Sequence, residues 1–157
     1  MKAMQWKHPI HFLAYGFGSG LMPVMPGTFG TLVGIGFFYV LSSLDPLSYA
    51  AVVLVGGLLG IFICEKTAKN LGKKDPGSIV WDEIIGFLVA MYLIPHKWYW
   101  VLAGFVIFRI FDIWKPYPIK AIEKNLGVGL GIMADDIVAG LYTLSILHGV
   151  RWGFDIL

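Results

Sequence analysis

The chain has 157 residues, of which 57% are hydrophobic and only 14% charged, with a formal net charge of +2. An average soluble domain carries about 25% charged residues, so the composition argues for a membrane-embedded protein, and the length for one domain covering 1–157. The small net charge, without a Lys/Arg block among aromatics, excludes a nucleic-acid footprint, and the single cysteine, Cys64, excludes an internal disulfide and a multi-cysteine zinc site.

The N-terminal twenty residues contain no clean apolar core followed by a small-residue cleavage site, so no signal peptide is read there. "HPIHFLAYGF" predicts a short interfacial helix, with Trp6, Phe12 and Tyr15 as candidate anchors. "GSGLMPVMPGTFG" reads as a loop because glycine and proline punctuate it repeatedly. Within it, "PGTFGT" (Pro26–Thr31) is a Gly-rich turn entering a helix. Such a turn offers free backbone N–H groups and the positive end of a helix dipole to a phosphate, and Thr28 and Thr31 add hydroxyls. It lacks the Gly-Lys-Ser/Thr end of a Walker A loop, and an N-cap and turn is its alternative reading.

Five apolar stretches follow, at 30–44, 47–64, 84–94, 98–108 and 131–150. Only the second approaches the roughly 20 residues of a full membrane span. The others predict short or partly immersed helices, and the glycines of "GIG" and "GGLLG" permit close helix packing. The expected architecture is therefore all-α: a compact, membrane-embedded bundle of about five hydrophobic helices plus the short N-terminal one. No internal repeat and no barrel-like alternation is seen. If the stretches cross alternately from a cytoplasmic N-terminus, all of the twelve lysines and arginines except Lys97 and Arg151 fall inside, which favours that orientation.

The same orientation gathers the acids. Asp82 and Glu83 open the third stretch, Asp112 closes the fourth, and Asp135 and Asp136 lie near the start of the fifth, all at cytoplasmic ends. A carboxylate at the centre of a lipid-facing helix costs about 2.5–3.5 kcal/mol. Five of them would cost on the order of 12–18 kcal/mol, beyond the usual net stability of a domain. They must therefore face the bundle interior or the interface and have cationic partners. Arg109 and Lys115 lie three residues to either side of Asp112, on a shared helical face, and both suit phosphate oxygens. A divalent cation is the other candidate partner. All-oxygen ligands suit a hard ion such as Mg²⁺, which often takes one or two carboxylates with substrate phosphate and water. Against this stands the plainer reading that acids at a helix start only complement its dipole.

His8, His11, His96 and His148 form no ligand-spaced cluster, and His8 and His11 read as interfacial, with a catalytic role as the alternative reading. No serine sits in a nucleophile elbow. Lys120 and Lys124, in "KAIEKN", read as a cytoplasmic basic flank.

"GFGSG…PGTFGT", "DPGSIVWDEIIG", "FRIFDIWKPYPI" and "GIMADDIVAG" together resemble the bacterial phosphatidylglycerophosphatase A family, in order and over nearly the whole chain. The resemblance implies Mg²⁺-dependent hydrolysis of phosphatidylglycerophosphate to phosphatidylglycerol and inorganic phosphate, at the cytoplasmic side of a bacterial inner membrane. On that footing Asp82, Glu83, Asp135 and Asp136 are expected to hold Mg²⁺. One carboxylate would serve as general base on water or as nucleophile. Arg109 and Lys115 would neutralise the phosphate, with Asp112 orienting Arg109 or completing the metal site. Gly27, Thr28, Gly30 and Thr31 would contact the phosphate or the glycerol. Two other classes fit the composition. One is a phospholipid-headgroup phosphotransferase, although "ADDIVAG" lacks the arginine of its usual D-G-x-x-A-R signature. The other is an ion-coupled transporter, although its acids would be expected at midplane rather than at helix ends. The sequence gives no oligomeric state.

Overall fold

The computed structural model describes residues 7–156, and every regular element among them is helical. The expected anchor Trp6 lies outside the described residues. Helix α1 covers Pro9–Ala14, α2 Pro26–Leu41, α3 Pro46–Leu71, α4 Trp81–Ala90, α5 Trp98–Trp114, α6 Ile119–Asn125 and α7 Val128–Ile156. Helices α2, α3, α4, α5 and α7 correspond to the five apolar stretches, while α6 is an additional short helix among the lysines read as a flank.

Local chemistry sets the helix ends. Pro26 and Pro46 occupy first-turn positions of α2 and α3, where a missing N–H is harmless. Asp45 caps α3 by accepting from the Ser48 backbone N–H at 3.0 Å. At its other end α3 continues past Cys64 through "EKTAKNL" and stops at Gly72, whose left-handed φ of 68° closes the last turn. Helix α5 likewise ends on a left-handed residue, but here it is Lys115, at φ 50°.

Helix α7 is the central element, packed against α3, α4, α5 and α6. Its contact with α4 is backbone to backbone. A Cβ on Gly140 would lie 2.4 Å from the Gly86 carbonyl oxygen, and one on Gly86 would lie 2.7 Å from the Asp136 carbonyl oxygen. Phe87, Phe108, Met91, Met133 and Leu147 fill the space around this crossing.

Among the described residues, only α3 and α7 are long and apolar enough to cross a membrane. Helix α4, with 10 residues, is about 15 Å long and α2, with 16, about 24 Å, both short of the roughly 30 Å hydrocarbon core. Just 22% of the apolar window of α3 is buried against the protein. Leu54, Val55, Leu58, Leu59 and Phe62 are left facing outward.

The N-terminal segment differs from its reading. Phe12 is partly exposed, as an interfacial anchor would be, but Tyr15 is a core residue. His11 is buried too, its ring bonded through Nδ1 to Thr67 Oγ1 at 2.8 Å and through Nε2 to Asn70 at 3.3 Å. It fastens α1 to α3 rather than sitting at an interface. The glycines of "GFGSG" have a packing role. Gly16 has a left-handed φ of 53°, and a Cβ on it would meet Val80 at 2.6 Å, while one on Gly20 would lie 2.1 Å from the Ser78 carbonyl oxygen. The Val80 N–H donates to the Ala14 carbonyl at 2.9 Å. The N-terminal segment thus clamps the chain immediately before Asp82 and Glu83.

Candidate active site

The acids are brought to one end of the bundle by the α4–α7 crossing. Asp82 lies four residues before Gly86 and Asp136 four before Gly140, so on each helix acid and glycine share a face one turn apart. Because the glycines let the backbones touch, the carboxylates meet. Ligand oxygens of Asp82, Glu83 and Asp136 all lie within 4.8 Å of one another. Asp82 and Asp136 are buried and Glu83 is half-buried. Asp82 and Glu83 occupy the first turn of α4, where the helix dipole favours negative charge.

The dipole alone does not account for this group. One oxygen on each of the three, Asp82 Oδ1, Glu83 Oε2 and Asp136 Oδ2, is buried without a hydrogen-bond partner. Burial, followed by repulsion from Glu83 and Asp136, holds the Asp82 carboxyl well above the usual carboxylate range. Burial also pushes Glu83 up to about 7, although the Asp82 hydrogen bond and the Arg109 charge work in the other direction. Three clustered acids with orphaned oxygens are poorly served by protein alone, and a cation among them reverses that balance. A carboxylate-only donor set at this spacing fits a hard divalent ion.

Arg109 forms the adjoining wall. Its Nη1 donates to Asp112 Oδ2 one turn on, and its buried Nε has no partner. Asp112 in turn stands close enough to Asp136 to interact side chain to side chain. A Cβ on Gly27 would lie 2.8 Å from Glu83 Oε1 and 2.9 Å from Arg109 Nη1, so the first turn of α2 closes this side at a distance only glycine allows.

Asp135 points elsewhere. A one-residue step on α7 turns it about 100° from Asp136, toward the end of α5 and toward α6. There Lys115 Nζ donates to Asp135 Oδ2 and to Glu123 Oε2, each at 3.0 Å. Burial works against the Lys115 ammonium, but Asp135 and Glu123 outweigh it and raise its pKa. Asp75, in the loop before α4, lies within electrostatic reach of Lys115, Glu123 and Asp112.

The residues singled out in the sequence therefore fall into separate places. Asp82, Glu83, Asp136, Arg109 and Asp112 form one group, bordered by Gly27. Lys115 and Asp135 form a second with Glu123. Thr28 lies beside Arg109, on the outer side of α2. Gly30 and Thr31 are not brought to the acids. A Cβ on Gly30 would meet Val80 at 2.5 Å, and the fully buried Thr31 hydroxyl donates to the Gly27 carbonyl at 2.8 Å. "PGTFGT" is the opening of α2 rather than a loop, entered from a left-handed Met25 that makes no side-chain cap bond. Glu123 was missed because it stands between Lys120 and Lys124, in a segment whose basic character dominates.

A family model described as Phosphatidylglycerophosphatase A matches residues 12–151. Phosphatidylglycerophosphatase A of Escherichia coli (strain K12) is 48% identical over 157 residues, covering 98% of this chain and 91% of that protein. The protein of that name from Haemophilus influenzae is 40% identical over 154 residues, covering 97% of this chain and 94% of its own. A Bacteroides thetaiotaomicron protein, named as a candidate phosphatidylinositol-3-phosphatase, is 37% identical over 145 residues, covering 87% of this chain and 90% of its own. No solved structure matches the chain.

Proposed function

The chain belongs to the phosphatidylglycerophosphatase A family and is a phosphoric monoester hydrolase; from that premise we propose that it removes the terminal phosphate of phosphatidylglycerophosphate, in a Mg²⁺-dependent reaction at the cytoplasmic face of a bacterial inner membrane. The observation that carries the proposal is the trio of Asp82, Glu83 and Asp136, with orphaned oxygens, next to a half-buried arginine whose buried Nε has no partner.

Asp82, Glu83 and Asp136 are the residues that would hold the ion, with Asp135 kept out of that set by Lys115. A Mg²⁺ bound there supplies a Lewis acid for a phosphoryl oxygen and a water of lowered pKa. Arg109 binds the phosphate through the donors that Asp112 leaves free, and neutralises charge on its outer oxygens as the bond to the glycerol breaks. Asp112 fixes the guanidinium plane from one turn away. The reaction cleaves the bond between the terminal phosphorus and the glycerol oxygen, and water supplies the oxygen that leaves with inorganic phosphate. A trio carboxylate accepts the proton of that water and returns it to the departing glycerol oxygen, which leaves as the hydroxyl of phosphatidylglycerol. Lys115 holds Asp135 and Glu123 together, tying the end of α5 to α6 and α7.

Membrane placement rests on α3 and α7 and on the charge distribution. At the end opposite the acids, Arg151 donates to the Leu93 carbonyl and His148 bonds the Tyr92 carbonyl. Lys97 precedes α5 at that end, while the other lysines among the described residues lie toward the acid end. With the acid end cytoplasmic, the positive-inside rule is satisfied.

Phosphate release from phosphatidylglycerophosphate in detergent micelles, with Mg²⁺ and with excess EDTA, tests the proposal. Release that requires Mg²⁺ is expected. No release in either condition from folded protein would overturn it. Phosphatidylinositol 3-phosphate, suggested by the name of the Bacteroides relative, carries the same phosphate monoester on a glycerophospholipid headgroup. Offering both lipids in parallel decides between them.

A further inference from the structure

The geometry points to a groove between the start of α2 and the outer face of α5 as the site that takes an acyl chain of the substrate lipid, an inference that rests on the phospholipid phosphatase reading. The groove encloses about 480 Å³ and is lined by Met25 and Thr28 on one side and by Phe105, Val106, Ile110 and Ile113 on the other, with Arg109 in its wall. Val106, Ile110 and Ile113 recur at helical spacing and form one stripe along α5. They are exposed, as is Met25.

Its continuity with the polar site sets this groove apart. Two other apolar grooves flank the bundle, one between α2, α3 and α4 and one between α3, α4 and α7, and neither is lined by a charged residue. Here Arg109 belongs to both surfaces: its guanidinium borders Glu83 at Gly27, and the residue also lines the groove. Long cationic side chains bridge polar and apolar surface in this way. A phosphate held by Arg109 puts the attached glycerol beside Thr28, the one other polar residue of the lining. From there the chain follows Val106 and Phe105 along α5, away from the acid end and toward the bundle's middle. From Arg109 back to Phe105 the lining runs about 6 Å along the helix, so it takes the first part of the chain, while Ile110 and Ile113 line the groove on the acid side of Arg109. The enzyme then separates its lipid substrate from water-soluble phosphate monoesters by contacts along α5, leaving the acids to the phosphate.

Photocrosslinking tests this directly. Wild-type protein in detergent micelles is mixed with phosphatidylglycerophosphate bearing a diazirine in one acyl chain, irradiated and mapped by mass spectrometry. Adducts concentrated on residues 105–114 are expected. Adducts on the α3–α7 groove, or spread evenly over the apolar surface, would overturn the inference. Val106→Trp, which fills the groove, is expected to lower kcat/KM for the long-chain lipid about tenfold, the lower end of the range for altering one apolar pocket contact. Its kcat/KM for a short-chain, water-soluble analogue should be unchanged. Leu54→Trp, in the α3–α7 groove, is expected to change neither. Equal loss on both substrates for Val106→Trp, or no loss on either, would contradict the assignment. Absence of phosphate release from wild type, with adducts still on α5, would remove the phosphatase reading and leave the groove standing.

Discussion

Asp135 and Asp136 are neighbours in the chain and occupy different electrostatic worlds. Asp135 has a lysine, shared with Glu123, on one of its oxygens, although its other oxygen is buried without a partner, as one of Asp136's is. Asp136 has two further acids for company, an orphaned oxygen and Asp112 beyond them. One step along a helix separates a carboxylate that closes a structural corner from one that is left wanting a cation. The lesson is that an acidic pair on a helix is not a unit. Each member is defined by the element its own face meets, α4 for Asp136 and the α5–α6 corner for Asp135.

The largest effect is expected at Asp136. Asp136→Asn is expected to lower kcat by about a thousandfold or more, the scale of removing a charge-stabilising group from a preorganised site. Helix content and thermal midpoint should be retained, because the change removes a repulsion. Phosphate release and circular dichroism on the same preparation check both parts, and near-normal turnover would take Asp136 out of the centre.

Gly86→Ala comes next. The new Cβ would press on the Asp136 carbonyl at 2.7 Å, and both are backbone-fixed, so α4 must move away from α7. A displacement of about 1 Å costs on the order of a hundredfold in rate, with a lower melting temperature from overpacking. Unchanged kinetics would show that the helix crossing does not set the acid spacing.

Lys115 sharpens the other half of the comparison. Lys115→Met leaves Asp135 and Glu123 facing each other without a cation, and is expected to lower activity by about 10- to 100-fold, as loss of a supporting partner does. It should also lower the melting temperature. Lys115→Gly separates charge from backbone, because glycine suits the left-handed φ of 50° at no steric cost. It should lose as much activity as Lys115→Met with a smaller loss of stability. If Lys115→Gly were instead fully active, the ammonium would have no part in holding the corner.

The smallest effect is expected far from the acids. Nothing lies within 4 Å of a Cβ built on Gly149 in α7. Gly149→Ala should leave kcat unaltered and raise stability by about 0.5–1 kcal/mol, the usual gain for this change inside a helix. Differential scanning calorimetry reads the second and the phosphate assay the first.

The gathering of acids at one end was legible in the sequence, because apolar stretches alternate in direction and Asp82, Glu83, Asp112, Asp135 and Asp136 each sit near the same kind of helix end. Which acids touch was not. The division between Asp135 and Asp136 depends on α6, a seven-residue helix with no apolar periodicity to announce it, and on Glu123, hidden between lysines. Helix limits were read short where polar residues begin. Helix α3 runs on past Cys64 because "EKTAKNL" is helix-compatible up to the Gly72 cap. The glycines carried the least readable information. Gly27, Gly30, Gly86 and Gly140 look alike in a sequence, yet one borders the acids, one seats Val80 and two let α4 and α7 touch. A close approach is a property of two segments, and neither reveals it alone.

The division between the two aspartates is tested most directly by Mn²⁺ binding, followed by electron paramagnetic resonance, in wild type, Asp135→Asn and Asp136→Asn. The account predicts that wild type and Asp135→Asn bind one class of Mn²⁺ with similar affinity and that Asp136→Asn loses it. Retention of that site in Asp136→Asn, or its equal loss in both variants, would contradict the account.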